Sequence, residues 1–140
     1  RGKYNENDKP NPINVYGKTK LEGEKELIKY KDCLLIRTGT LYKDKTGFVY
    51  NSLNAGKEIE CFSNIYDSPV EISSIPKILE KLIKINAKGI YHIAGEKLSK
   101  FQFALNIANK YCLEKNLIKN SFYTGNIIPR NTFLETIHKE

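Results

Sequence analysis

Residues 10–30 read Pro-Asn-Pro-Ile-Asn-Val-Tyr-Gly-Lys-Thr-Lys-Leu-Glu-Gly-Glu-Lys-Glu-Leu-Ile-Lys-Tyr, and the rest of the chain is arranged around them. Pro10 and Pro12 disfavour helix in the residues before them, Asn14 can accept a hydrogen bond as an N-cap, and few helix breakers follow. The pattern predicts a helix from about Asn14 to Tyr30. On that helix Tyr16 and Lys20 lie four residues apart and project from one face, with Cβ atoms about 5–6 Å apart. An isolated tyrosine titrates near pKa ~10, and an adjacent cation stabilises the phenolate and lowers that value. So placed, Tyr16 can give its proton to a carbonyl oxygen as hydride arrives at carbon, with Lys20 as the tuning charge.

Spacing alone is weak support. Lysine is so abundant here that roughly one tyrosine in seven has one four places on by chance, and Tyr111/Lys115 repeats the spacing with no supporting context. The setting adds weight. Gly17 and Gly23 lie inside the predicted helix, where each costs about 1 kcal/mol relative to alanine and usually marks a close approach by a ligand or another element. Upstream stands Tyr4-Asn5-Glu6-Asn7-Asp8; downstream, Cys33-Leu34-Leu35-Ile36-Arg37 reads as a buried parallel strand leading into Thr38-Gly39-Thr40-Leu41-Tyr42. The order Tyr-x-Glu-x-Asp-x-Pro-x-Pro-x-Asn-x-Tyr-Gly-x-x-Lys, then Ile-Arg-Thr, resembles the extended short-chain dehydrogenase/reductase family. It looks most like the dTDP-4-dehydrorhamnose reductase branch.

At 140 residues the chain is about one domain long. It opens with Arg1, contains no methionine, and lacks any Gly-x-Gly-x-x-Gly or Gly-x-x-Gly-x-x-Gly turn. The expectation is a C-terminal portion, 1–140, of a longer reductase whose glycine-rich cofactor-gripping half lies outside this sequence. The charge of +7 comes from scattered lysines with few arginines; no basic stripe interleaved with stacking aromatics points to nucleic acid. A positive surface attracts anionic nucleotides and nucleotide sugars. Cys33, Cys61 and Cys112 are isolated, so neither a disulfide framework nor a zinc site is indicated, and Cys33 and Cys112 read as core residues. No apolar run approaches a membrane span, and a reducing cytoplasm is the default.

Along the rest of the chain, Thr38–Thr46 reads as a polar loop at the carboxyl end of a strand, where open α/β sheets bind their ligands. Gly47–Ala55 suits a short helix capped by Gly56, Glu58–Phe62 a strand, and Ser63–Ile72 a loop containing Ser68-Pro69-Val70. Pro76 begins a helix with an apolar face of Ile78, Leu79, Leu82, Ile83 and Ile85, continuing to about Asn86 and ended by Gly89. Ile90–Gly95 is a short buried strand whose His92 reads as structural. Ser99 and Gln102 form a capping box for a helix through Phe101, Ala104, Leu105, Ala108 and Cys112 to about Glu114. Phe122 and Tyr123 suggest a short strand. The alternation gives an α/β fold: the C-terminal part of a Rossmann-type parallel sheet plus a small substrate-binding lobe.

The resemblance implies NAD(P)H-dependent reduction of a 4-keto nucleotide-deoxysugar in nucleotide-sugar biosynthesis. Tyr16 and Lys20 would be catalytic and, with Thr38, bind NADPH or NADH; Tyr42 and Arg130 would bind the nucleotide-sugar substrate. Ile128-Pro129-Arg130 through Thr136 resembles the family's closing Arg-Pro-x-x-x-x-Leu-Asp segment. Ile128 replaces its arginine and leaves Arg130 for the phosphate contact; Thr40 stands where many reductases carry a tryptophan. The resemblance is compatible with a homodimer and implies no metal. The family's catalytic Ser or Thr lies upstream of this segment, so the isolated segment is expected to be inactive. Epimerases and dehydratases share the Tyr-x-x-x-Lys pair, and a regulatory subunit of methionine adenosyltransferase shares the fold. Both alternatives stay open.

Overall fold

A computed structural model describes residues 2–138. Its organising pair is β1 (Leu34–Thr38) beside β6 (Gly89–Ile93), parallel and in register from Leu34 opposite Gly89 to Thr38 opposite Ile93. Leu35 and Ile93 bury their side chains in this pair, while Leu34, Ile36, Ile90 and Tyr91 are only half-buried, so the two expected buried strands are buried in part. The chain reaches β1 through α1 (Val15–Leu27), which Asn14 caps by accepting from Gly17 N at 2.9 Å. The helix ends at Leu27, before Tyr30, because the chain must turn back: Tyr30 N donates to Leu27 O and Cys33 N to Tyr30 O. α1 itself has no buried residue, and Val15 and Tyr16 are 78% and 73% exposed.

The core lies further along the chain. Here β3 (Ile59–Phe62) runs parallel to β8 (Ile118–Ser121), and α2 (Gly47–Asn54) and α4 (Lys100–Lys110) cover them. Ile59 and Cys61, two apart on β3, point inward with Ile118, Leu53, Ala104 and Ala108. The two alanines, four apart, let α4 approach closely. Both arms of the expected capping box form: Gln102 N donates to Ser99 Oγ, and Ser99 N to the Gln102 side-chain oxygen. Gly56, at φ +66°, ends α2 as expected.

Several expectations are corrected. α4 stops at Lys110, and Cys112, at φ +53°, is an exposed turn residue; the buried thiol is Cys61 and Cys33 is half-buried. α3 (Ile75–Lys84) has Pro76 in its first turn but fully buries none of its apolar side chains; Ile83 and the C-cap residue Ile85 are each 70% exposed. Gly89 does not end that helix; it opens β6 at φ +87°, after a turn through Asn86. The strand of the tail is Ile118–Ser121, and Phe122 beyond it is exposed. Both predicted loops carry two-residue strands. β2 (Leu41–Tyr42) pairs in parallel with β5 (Val70–Glu71), and β4 (Tyr66–Asp67) antiparallel with β7 (Leu98–Ser99).

Those short pairings fix Ser68 and Pro69 between two glycines. A Cβ built on Gly39 would lie 2.0 Å from the Ser68 carbonyl oxygen, and one on Gly95 would lie 2.0 Å from that of Pro69. Only a residue without a side chain admits such crossings. They set Asp67 and Ser68 beside the end of β1.

Candidate functional site

A cleft of about 820 Å³ opens between α1, the end of β1 and the tail segment around Arg130. Tyr16, Lys20, Thr38 and Arg130 all border it, so four residues chosen from the sequence come together. The Lys20 ammonium lies 5.6 Å from the centre of the Tyr16 ring, on the exposed face of α1. Asn14 holds the start of this helix twice: its oxygen caps Gly17, and its amide donates to Ile127 O at 3.2 Å. The tail is thereby tied to the helix. Gly17 owes its lack of a side chain to Pro12, whose Cβ would be 2.9 Å away from a Cβ there; Gly23 faces no described atom within 4 Å.

Beneath the helix, Arg37 and Glu24 form a two-pronged pair, with Arg37 Nε 3.0 Å and 3.1 Å from the two carboxylate oxygens and Nη2 2.6 Å from Oε2. Their side chains are only 17% and 20% exposed. The pair locks the last turns of α1 to β1, so the arginine of Ile-Arg-Thr is committed to the scaffold.

Tyr42 lies elsewhere. It borders a second cavity of about 480 Å³ and packs edge-on against Phe103, ring centres 5.1 Å apart. Burial and the nearby Glu71 carboxylate push its phenol above the ordinary value. The two cavities meet at Thr40, which borders both.

At that junction sits Asp67, a buried carboxylate that no sequence motif singles out. Thr40 donates to it from its backbone at 3.1 Å and from its hydroxyl, Ser68 N at 2.8 Å, Thr132 Oγ1 at 3.3 Å and Lys100 Nζ at 3.3 Å. Burial by itself would raise its pKa, but these donors outweigh it and hold the carboxyl below its usual range. A lone aspartate before Ser-Pro carries no local signal for such a cluster.

Glu6 is the other carboxylate missed as a builder of the site. It accepts from His92 N at 2.8 Å, Thr136 Oγ1 at 2.6 Å and Ile137 N at 2.9 Å, strapping the first segment to β6 and the tail. Burial opposes ionisation, yet these bonds bring its pKa down to about 2. His92 borders the cleft but is buried, with Nδ1 2.9 Å from Glu135 O; a proton on Nδ1 makes this a clamp on the tail. The sequence placed Glu6 in a motif, yet its partners stand 86 to 131 positions away.

The family model "RmlD substrate binding domain" matches residues 1–127. A crystal structure of a hypothetical dTDP-4-dehydrorhamnose reductase from Sulfolobus tokodaii superposes with a TM-score of 0.82 at 35% identity, covering 96% of this chain and 50% of that one. A Bacillus anthracis dTDP-4-dehydrorhamnose reductase in complex with NADP superposes with a TM-score of 0.83 at 24% identity, over 95% of this chain and 50% of that one. Among curated relatives, methionine adenosyltransferase 2 subunit beta of Bos taurus is 28% identical over 156 residues, 94% of this chain and 45% of its own length. The chain thus spans about half the length of the curated relatives it matches.

Proposed function

The chain belongs to the RmlD substrate binding domain family, and from that premise we propose that it is the C-terminal, substrate-binding portion of an NAD(P)H-dependent reductase acting on the C4 keto group of a nucleotide-linked deoxysugar. One observation carries the reading: Tyr16 and Lys20 share the solvent face of α1 and open together into a cleft large enough for a cofactor head and a sugar. The donors suit a nicotinamide ribose, since a phenol, an ammonium and the Thr38 hydroxyl border one space. A bound NAD(P)H supplies hydride. Tyr16 then gives its hydroxyl proton to the sugar oxygen as negative charge develops there, and Lys20 steadies the phenolate and holds ribose hydroxyls. Thr38 lines the cofactor side of the cleft and Arg130 the substrate side.

The second cavity, walled by Tyr42, Phe48, Phe62 and Phe103, gives the base of the nucleotide sugar an aromatic lining, with Thr40 the point where the ligand passes into the cleft. An N-terminal half carrying a glycine-rich turn would complete the cofactor site, and the 140 residues alone are expected to be inactive. Three free thiols suit a cytoplasmic setting.

The likeness to methionine adenosyltransferase 2 subunit beta favours a second reading, a cofactor-binding regulatory subunit without turnover. The test mixes full-length protein with NADPH and a dTDP-4-keto-deoxysugar and follows absorbance of the reduced nicotinamide. Oxidation that disappears in Tyr16→Phe supports the reductase. Stable NADPH binding without oxidation supports the regulator, and sugar conversion without net oxidation supports an epimerase or dehydratase.

A further inference from the structure

A ligand that runs from the aromatic cavity past Thr40 into the cleft brings its phosphates to the junction, where they need a cation. Arg37 is not available, since both its prongs engage Glu24. Ile128 occupies the position where the resemblance calls for arginine, and Arg130 borders the cleft but not the second cavity. Lys100, at the first turn of α4, is in the right place. Its Nζ lies 3.3 Å from Thr40 Oγ1 and 3.3 Å from Asp67 Oδ2, and its side chain borders the second cavity.

We propose that Lys100 binds the diphosphate of a nucleoside diphosphate-linked ligand at the junction of the two cavities, with Asp67 and Thr40 as the groups that aim its ammonium. This rests on the nucleotide-sugar reading of the cavities. Two features add to the ion pair. Asp67 also accepts from Thr40 through backbone and hydroxyl and from Ser68, so the lysine is one of several donors to it. The two contacts of Lys100 are long, and its side chain is 41% exposed while that of Asp67 is 9% exposed. An ammonium has three donors; the one not turned to Asp67 and Thr40 remains for an anion entering from the cavity. Asp67 is thus the buried anchor and Lys100 the accessible hand.

The experiment measures binding of thymidine, dTDP and uridine diphosphate to full-length protein by calorimetry, for wild type, Lys100→Gln and Lys100→Arg. Loss of one charge-assisted contact should weaken diphosphate binding about ten- to a hundredfold in Lys100→Gln. Thymidine binding should be unchanged in that variant, and Lys100→Arg should recover most of the diphosphate affinity. Equal dTDP and uridine diphosphate affinities in wild type and Lys100→Gln would overturn the assignment while leaving the nucleotide reading intact. Wild type that binds neither nucleoside nor diphosphate would remove the nucleotide reading itself. Parallel loss of thymidine and dTDP binding in Lys100→Gln would assign the lysine a structural role and likewise overturn the proposal.

Discussion

Replacing Glu6 with glutamine tests how the first segment, β6 and the tail are held together. The carboxylate takes three donors, from His92 N, Thr136 Oγ1 and Ile137 N, and its pKa is down at about 2 from an ordinary 4.5. A difference of that size corresponds to roughly 3 kcal/mol. Because Glu6 is partly exposed, screening by water reduces the expected contribution to about 1–2 kcal/mol. The sign follows from proton binding: between the two values the unfolded chain binds more protons than the folded one, so stability rises with pH across that window. The contribution is complete above about pH 5 and disappears as pH falls through 4.5 towards 2. Glutamine keeps an acceptor oxygen but does not titrate. Urea unfolding of full-length wild type and Glu6→Gln at constant ionic strength should therefore show a gap of about 1–2 kcal/mol at pH 7 that closes near pH 2. Amide exchange at His92 and Ile137 should speed up in the variant. A gap that stays constant from pH 7 to pH 3 would refute the claim that the strap works through the charge of this carboxylate.

Tyr16→Phe should lower kcat about 10²–10⁴-fold in the NADPH oxidation assay while cofactor binding is retained, as expected for a proton donor. Gly39→Ala places a methyl carbon 2.0 Å from the Ser68 carbonyl oxygen, so the two segments must separate; the expected loss is about 1–3 kcal/mol by denaturant unfolding, with weaker ligand binding at the displaced Asp67. Glu24→Ala leaves a largely buried guanidinium without its carboxylate and should destabilise by about 1–3 kcal/mol, whereas the double change Glu24→Leu with Arg37→Met, which removes both charges, should do less damage. Asn14→Ala should cost about 1 kcal/mol through loss of the cap and release the tail at Ile127, read as faster amide exchange at Gly17.

What could be read from the sequence was local. The cap at Asn14, the box at Ser99 and Gln102 and the glycine after α2 each act within a few residues, and each stands where the residue types put it. The parallel strand before Arg37 was legible because Leu34, Leu35 and Ile36 form an unbroken apolar run, although only Leu35 of the three is buried. The two-residue strands at Leu41 and Val70 were not, since two residues carry no period. Tyr42 was named as a neighbour of the ligand loop, but which of two cavities it borders depends on its pairing with Glu71, and that is a tertiary fact. Asp67, Lys100 and Glu6 became parts of the site only through partners 27 to 131 positions away.

The same contrast explains the condition of α1. A helix of 13 residues is near the length at which isolated helices are marginal in water, and this one carries two interior glycines and no buried side chain. Its described supports are polar and lie at its two ends: the Asn14 cap with its bond to Ile127, and the Glu24–Arg37 pair. By contrast α4 buries Ala104, Ile107 and Ala108. The element bearing Tyr16 and Lys20 is therefore, like α3, one that contributes no buried side chain to the described core. In the proposed reductase this follows naturally, because a helix that must face a cofactor on one side and the glycine-rich half on another cannot spend its surface on its own domain's core. Its exposed residues Val15, Leu27 and Ile28 are then surface for that half to cover, while Tyr16 and Lys20 stay open to the ligand.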